Sequence, residues 1–432
     1  MFKPTVDAAD AASVLFNLPE YRVIDVVRDP AGGREVFIET PVSEAACPAC
    51  GVLTSRVHQR TQQRVHDVTF DGKVTVWWIK KRWRCAEPLC GTTTFTESTT
   101  QAPPRARLTT RCKERIVAAL SGEVRAVSRV AAELGVSWPT VMRQLSATRA
   151  AHAALAAARP TLVYALGIDE HRFRTVRWYQ DDHQKWQRIE PWMTTLTDLS
   201  TGRVIGIVDG RDSAAVQSWL KAQPRWWRHR VRVVAIDPSS SFRAAVRHWL
   251  PKAQVSVDHF HLVKLANDVV TQVRRRVSWD RHGRRGRGVD LAWANRLLLL
   301  RAYNTLSPRG VQKLNHVLAT DDPTKEIGAA WGVKEQLRRL LACQTLVDAR
   351  LERATFNQYV TWADMPETTR LKKTIDAWWA AIEVFITTRV TNAKTEAANV
   401  TIKNIKRCGR GYRSHTNYQC RIMLYNTATT AA

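Results

Sequence analysis

Between Leu162 and Asp258 the chain strings apolar runs and helical stretches together in one restrictive order. LVYALGIDE (162–170) is an apolar run with branched residues and reads as a first strand. MTTLTD (193–198) and RVIGIVDG (203–210) flank Ser200-Thr201-Gly202 as a hairpin. Two helix-like stretches, SAAVQSWLKA (213–222) and residues 239–250, then alternate with the short strands VRVVAID (231–237) and QVSVD (254–258). The pattern is βββαβαβ, with Asp169 closing the first strand and Asp237 the fourth. Beyond it, residues 260–390 read almost wholly as helix, broken around 283–288, 321–323 and Met365-Pro366.

This order is similar to that of ribonuclease-H-like nucleases, in which the first and fourth strands are neighbours, and the similarity implies that Asp169 and Asp237 come together. Two carboxylates held that close repel unless cations sit between them. A pair of Mg²⁺ or Mn²⁺ ions about 3.5–4 Å apart is what in-line attack on a phosphodiester uses. Either aspartate alone would read as a turn or cap residue. A third acid, Glu396, falls in TNAKTEAANVTIKNIKRCGRGYR (391–413), on a helix whose same face carries Asn399, Lys403, Lys406 and Arg407. Asp258 and His259 in VDHFH are rival acid and base candidates, whereas Glu170, Asp198, Asp209 and Asp212 read as solvated turn and cap residues. With 158 residues between Asp237 and Glu396, the catalytic sheet is expected to carry a large helical insertion.

Near the front, Cys47-Pro-Ala-Cys50-Gly and Cys85-Ala-Glu-Pro-Leu-Cys90-Gly form two knuckles separated by 34 residues. A short turn brings two thiolates onto one ion, and two such turns make a closed tetrahedral site suited to structural Zn²⁺. The competing reading is reduced core thiols, with His58 or His66 as a substitute ligand. Between the knuckles, KVTVWWIKKRWRC reads as a strand rich in basic and aromatic residues, suited to a DNA-facing ribbon.

Residues 109–148 read as three short helices: TTRCKERIVAALSG, AVSRVAAELG, and SWPTVMRQLSATR running one residue further to Arg149. Gly135 ends the second, Ser137 caps the third and Pro139 sits in its first turn. In a helix-turn-helix the last helix enters the major groove, here presenting Thr140, Arg143 and Gln144.

Composition identifies the partner. Lys plus Arg total 66 against 39 Asp plus Glu, a net charge of +27. Such a field needs a polyanion. No apolar run approaches the roughly 18 residues of a membrane span, so double-stranded DNA is the expected partner. The start MFKPTVDAAD, interrupted by Asp7 and Asp10, predicts no secretory signal and a cytoplasmic location. Eight cysteines in that compartment read as metal ligands and free thiols. Residues 274–287, RRRVSWDRHGRRGR, are expected to be a flexible phosphate-binding run, with Arg274, Arg275, Arg276, Arg284 and Arg285 as contacts.

GIDEHR (167–172), VVAIDPSSSFRAAV (233–246), VDHFHLVKLAND (257–268) and the 391–413 segment resemble the successive motifs of DDE insertion-sequence transposases of the ISL-three family. Essentially the whole chain is covered. The resemblance implies that Asp169, Asp237 and Glu396 are the DDE triad, binding two Mg²⁺ or Mn²⁺ ions, and that Cys47, Cys50, Cys85 and Cys90 are zinc ligands. It further implies recognition of terminal inverted repeats, metal-dependent strand cleavage and strand transfer, and at least a homodimer in the synaptic complex. The fold class expected is therefore α/β multidomain: an N-terminal region with a zinc ribbon (1–102), a helix-turn-helix domain (103–160), the first part of a ribonuclease-H-like domain (161–270), a helical insertion (271–385) and a C-terminal catalytic helix with a basic tail (386–432). The rivals are an inactive or domesticated DNA-binding regulator and a structure-specific nuclease.

Overall fold

The computed structural model describes residues 8–28, 30, 32–70, 72, 74–158 and 161–429. Asp7 and the boundary expected at Arg159-Pro160 lie outside the described residues. The chain forms two compact units, Met1–Arg159 with Lys403–Ala432, and Pro160–Ile402.

The first unit opens with α1 (Ala8–Phe16), followed by β1 (Arg22–Arg28), β2 (Arg34–Glu39), the two-residue strands β3 (Ala45–Ala46) and β4 (Leu53–Thr54), then β5 (Val57–Val65), β6 (Val74–Arg84) and β7 (Thr94–Thr96). Its sheet runs β1-β2-β6-β5, with β7 added to β6. Strand β6 is the spine: Val76 and Trp78 enter one core with Val23, Val36 and Ile38, while Trp83 enters a second with Phe95 and Cys47. This strand is buried only in part: Trp78, Lys81 and Trp83 point inward, the Lys81 ammonium donating to the carbonyls of Thr40 (2.7 Å) and Val42 (2.8 Å), while Arg82 and Arg84 are exposed.

Three helices follow: α2 (Thr110–Ser121), α3 (Val127–Glu133) and α4 (Trp138–Ala158). The Thr109 hydroxyl accepts from the Cys112 amide at 3.1 Å and starts α2. Gly135, with φ +63°, makes the turn between α3 and α4. Ile116, Leu120, Val130 and Leu145 fill the space between the helices.

In the second unit β8 (Ala165–Arg172) is followed by a hairpin, β9 (Arg177–Gln180) and β10 (Trp186–Ile189), for which the sequence pattern gives no signal. Next come β11 (Trp192–Asp198), β12 (Arg203–Asp209), α5 (Ser213–Ala222), α6 (Arg225–Arg230), β13 (Val233–Ile236), α7 (Ser240–Trp249) and β14 (Gln254–Val257). The main sheet has the order β12-β11-β8-β13-β14. Strand β11 is antiparallel to β8 and β12, while β13 is parallel to β8 and β14. The strands carrying and preceding the two aspartates are thus neighbours, as the ribonuclease-H-like order requires.

The helical part comprises α8 (His259–His282), α9 (Leu291–Ala294), α10 (Arg296–Leu300), a 3₁₀ turn at Tyr303–Thr305, α11 (Pro308–Asp321), α12 (Glu326–Ala342), α13 (Leu346–Ala363), α14 (Pro366–Ala377) and α15 (Trp379–Thr388). One continuous core runs from Leu166, Ile168 and Ile236 of the sheet through Val270 and Val273 of α8 to Leu337 of α12 and Ile382 of α15. The insertion is therefore packed into the catalytic unit.

The flexible arginine run is also corrected. Helix α8 continues to His282 and stops at Gly283, φ +59°, whose amide bonds the Trp279 carbonyl at 2.8 Å. Successive helical residues point about 100° apart, so three arginines in a row cannot share a face. Arg274 turns inward and is 4% exposed. Arg276 is held by Glu326 (2.7 Å) and Glu367 (3.0 Å), and Arg284 by Asp290. Arg275 and Arg285 are exposed.

Helix α16 (Ala393–Cys408) spans the boundary between the units, and α17 (His415–Thr429) belongs to the first. Instead of forming a basic tail, α17 packs on α2 and α4. Cys420 and Leu424 enter the helix-turn-helix core, and buried Arg421 donates to the Arg125 carbonyl at 2.9 Å.

Helix α5 lies flat on β12 because Gly206 leaves room for the Trp219 ring: a Cβ there would come within 2.5 Å of Trp219 Nε1. Gly206→Ala should therefore cost about 1–3 kcal/mol, measured as a lower chemical-denaturation midpoint.

Candidate active site and metal centres

Strand β8 extends three residues past Asp169, which sits inside it opposite Thr195 of β11. Asp237 follows β13 directly. Parallel pairing of Ile236 with Ile168 aligns the two strands just before these aspartates, so the acids leave them side by side.

The third acid reaches them through a short, tightly held connection. Helix α15 ends at Arg389, and Val390 packs with Ala165, Leu199 and Ala235 while its carbonyl accepts from Ser256 Oγ at 2.6 Å. Fully buried Asn392 then donates to the Ile168 carbonyl at 3.1 Å, and Lys394 bonds the Ser200 carbonyl. Helix α16 starts at this point, over Gly167. A Cβ on Gly167 would lie 2.0 Å from Thr395 Oγ1 and 2.8 Å from Asn392 Oδ1. Only a residue without a side chain lets α16 come this close.

One turn after Glu396, the Asn399 amide donates to Asp169 Oδ2 at 2.7 Å, and its Oδ1 accepts from Thr195 Oγ1 at 2.8 Å. His171 Nδ1 lies 3.0 Å from the same hydroxyl. The chain Asp169–Asn399–Thr195–His171 thus fixes one acid against the helix that carries another. Sequence reasoning placed Asn399 on the Glu396 helix face but missed its bond to Asp169, as it missed Gly167, His171, Thr195 and Asn392.

Asp258 is fully buried and caps α8, accepting from the Phe260 amide at 3.1 Å, and it also forms with Asp237 and His261 a set whose ligand atoms lie within 4.8 Å of one another, close enough to hold a metal ion. His261, three residues on, places Nδ1 3.5 Å from Asp258 and Nε2 3.0 Å from Asp237 Oδ2. Held between two carboxylates, the imidazole is pushed up to about 10 by its bonds to Asp237 and Asp258. His259 instead stacks on Phe385, ring centroids 4.7 Å apart. Among the acids read as solvated, Asp212 caps α5, but Asp198 is buried and closes the β11–β12 turn by accepting from the Ser200 amide (2.9 Å) and Thr201 (2.8 Å).

The carboxylates sense one another. Burial, then the Asp237 charge, pushes Asp169 up to about 6. Glu396 is raised by burial and by Asp258, with Asp169 and Asp237 adding to the effect. Asp237 Oδ1 is buried with no hydrogen-bond partner among the described residues. Crowded acids with an orphaned oxygen fit a divalent cation, which would neutralise them and fill that oxygen's coordination.

At the front, one sulfur each from Cys47, Cys50, Cys85 and Cys90 lies within 4.8 Å of all the others. The Cys47–Cys90 and Cys50–Cys85 separations are 3.9 and 3.6 Å. Zn–S bonds of about 2.3 Å in a tetrahedron require edges of about 3.8 Å. Backbone amides of Cys50 and Ala49 pull Cys47 down to about 7, towards the thiolate a metal binds. Neither His58 nor His66 belongs to the cluster.

On α4, Arg143 is exposed and within 3.3 Å of the Thr140 hydroxyl, which Ser137 Oγ meets at 2.8 Å. Gln144 is half-buried beside Thr148. Lys403 and Arg407 of α16 are exposed, and half-buried Lys406 is lowered by burial and by those two cations.

A family model described as a transposase matches residues 166–422, more than half the chain. This chain belongs to the ISL3 family of DDE transposases. Models for the helix-turn-helix domain of transposase family ISL3 and for the zinc-finger of the IS204/IS1001/IS1096/IS1165 transposases match residues 97–148 and 43–90. The transposase of insertion sequence element IS1001 from Bordetella parapertussis is 23% identical over 401 residues, spanning 91% of this chain and 92% of that one. A solved Drosophila P element transposase strand transfer complex aligns over 73% of this chain and 91% of its own at 10% identity, with a TM-score of 0.40. The protein is a DDE-type DNA transposase with a zinc ribbon and a DNA-binding helix-turn-helix. Among the described residues of this transposase, no helix is long and apolar enough to cross a membrane.

Two substitutions test the packing that positions Glu396 in this transposase. Gly167→Ala should displace α16 and reduce cleavage of end DNA by at least about tenfold. Asn399→Ala should weaken Mn²⁺ binding, read by calorimetry, while the melting temperature falls by only a few degrees, about what its two lost hydrogen bonds cost.

Proposed function

We propose that this transposase binds the terminal inverted repeats of its insertion sequence, hydrolyses the DNA at the element's end and joins the resulting 3′-hydroxyl to target DNA, with Asp169, Asp237 and Glu396 as the metal-binding acids. What supports this reading is that α16, which carries Glu396, is bonded to Asp169 of β8 through Asn399, beside the strand that leads into Asp237, whose Oδ1 has no hydrogen-bond partner among the described residues. Asp169, Asp237 and Glu396 would hold two Mg²⁺ or Mn²⁺ ions, which when bound would supply Lewis acidity to the attacking and leaving oxygens.

The chain's own residues prepare that site. Asn399 turns Asp169 so that one oxygen is occupied, and His261 does the same for Asp237. Thr140, Arg143 and Gln144 read base edges from the start of α4, and Arg275, Arg285, Lys403, Lys406 and Arg407 hold phosphates. Arg274, Arg276 and Arg284 are withdrawn from that set, since burial and carboxylate partners occupy them. Cys47, Cys50, Cys85 and Cys90 hold one structural Zn²⁺. Joining two ends requires at least a dimer in the synaptic complex, and the protein acts in the cytoplasm.

With Mg²⁺ and labelled DNA carrying the element's ends, the wild type should cleave and join in a repeat-dependent manner. Asp237→Ala should lose both by at least about a thousandfold while keeping end binding. Repeat-specific binding without cleavage by the wild type would instead identify a regulator, and cleavage without joining or repeat dependence a structure-specific nuclease. Cys47→Ser should release about one zinc per chain, measured by elemental analysis, and weaken end binding; unchanged zinc content would remove that site.

A further inference from the structure

The β9–β10 hairpin leaves the catalytic sheet immediately beyond Asp169 and pairs with no other strand among the described residues. Its registers are Arg177↔Ile189, Trp178↔Arg188, Tyr179↔Gln187 and Gln180↔Trp186. Side chains alternate across a ribbon, so Trp178, Gln180, Trp186 and Arg188 share one face. Trp178 is 60% and Trp186 61% exposed. A two-stranded ribbon in water is marginally stable, and two open indoles on it bury no core. Exposed apolar surface of this kind marks a contact with another molecule.

Charge says which kind. Arg177 and Lys185 are exposed on the strands, and the Arg188 guanidinium sits 5.9 Å from the centre of the Trp178 ring. Of the two acids in the turn, Asp181 faces its own backbone, accepting from the amides of His183 (3.0 Å) and Lys185 (2.9 Å) and from Gln187 (2.8 Å), and Asp182 is exposed at the tip, outside the strands that carry the indoles. Glu190 sits at the base, accepting from Trp192 Nε1 at 2.8 Å and pairing with Arg188 at 2.6 Å. Indole faces flanked by cations are how proteins hold unpaired nucleotides, because every base has a stacking face and every linkage a phosphate.

The base of the ribbon is rigid. Phe173 is buried and its amide bonds the Pro191 carbonyl at 2.8 Å, while Arg172 and Arg211 both lie 4.9 Å from the centre of the Trp192 ring. Eight residues separate Asp169 from Trp178, a reach of at most about 30 Å in extended chain, less than one turn of duplex. DNA seated at the acids passes within range of these rings.

We infer that the β9–β10 ribbon is a stacking surface for unpaired nucleotides of the DNA held at the catalytic acids, with Trp178 and Trp186 as the platforms and Arg188 as the cation beside them. The inference rests on the transposase reading of the acids and adds to it a contact with unpaired bases.

The test uses full-length protein carrying Asp237→Ala, so that DNA remains uncut. End DNA with a short unpaired tract beside the cleavage position, labelled there with 2-aminopurine, is compared with the fully paired duplex. Replacing Trp178 and Trp186 by Ala should lower affinity for the unpaired substrate by about tenfold per ring and abolish the 2-aminopurine quench, leaving paired-duplex affinity unchanged. Trp186→Phe should retain most of both signals. Equal affinities of parent and double variant for the unpaired substrate, or an equal loss on both substrates, would overturn the stacking role. Cleavage by the Asp237→Ala parent would instead overturn the catalytic assignment, leaving the ribbon result separately readable.

Discussion

Like charges resist being buried together, and the second unit is arranged around meeting that resistance. Asp169 and Asp237 are aligned by parallel backbone pairing of β8 with β13, which fixes their spacing without any attraction between them. Glu396 is brought in by a helix whose start is bonded to the β8 backbone through Asn392 and whose next turn is bonded to Asp169 through Asn399. Burial, with the repulsion added to it, raises the proton affinity of Asp169 and Glu396. A fold that holds three acids against their mutual repulsion is prepared for cations, because the polar network that restrains the acids already exists before any ion arrives.

The same problem is solved at the front of the chain with softer ligands. Four thiols meet at separations close to a tetrahedron's edge, and backbone amides lower one of them towards the thiolate form. Below it, Trp83 and Phe95 seal the knuckles with one of the smallest cores in the molecule. A core of that size suits a unit whose cohesion comes from a metal.

Positive charge divides between two uses. Arg276, Arg281 and Arg284 neutralise acids on neighbouring helices, and Lys81, Lys334 and Arg421 are buried with their nitrogens donating to carbonyls. Fewer cations are therefore available to DNA than the 66 Lys and Arg residues suggest. Arg143, Arg275, Arg285, Lys403 and Arg407 remain exposed.

The order of strands and helices, the two cysteine knuckles and the three-helix segment were legible in the sequence, because each is written in local periodicity, spacing or residue type. Those signals are short in range, and a strand with an acid at position 169 reads the same wherever it ends up. Only the tertiary structure decided that β8 pairs with β13, that Gly167 lets α16 descend, and that Asn399 and His261 occupy oxygens of Asp169 and Asp237. It also decided which arginines face solvent, since the inward direction of a helix depends on what packs against it. The β9–β10 ribbon and the docking of α17 stayed hidden for a related reason. Their partners, water on one side and residues more than 270 positions away on the other, leave no mark on neighbouring sequence.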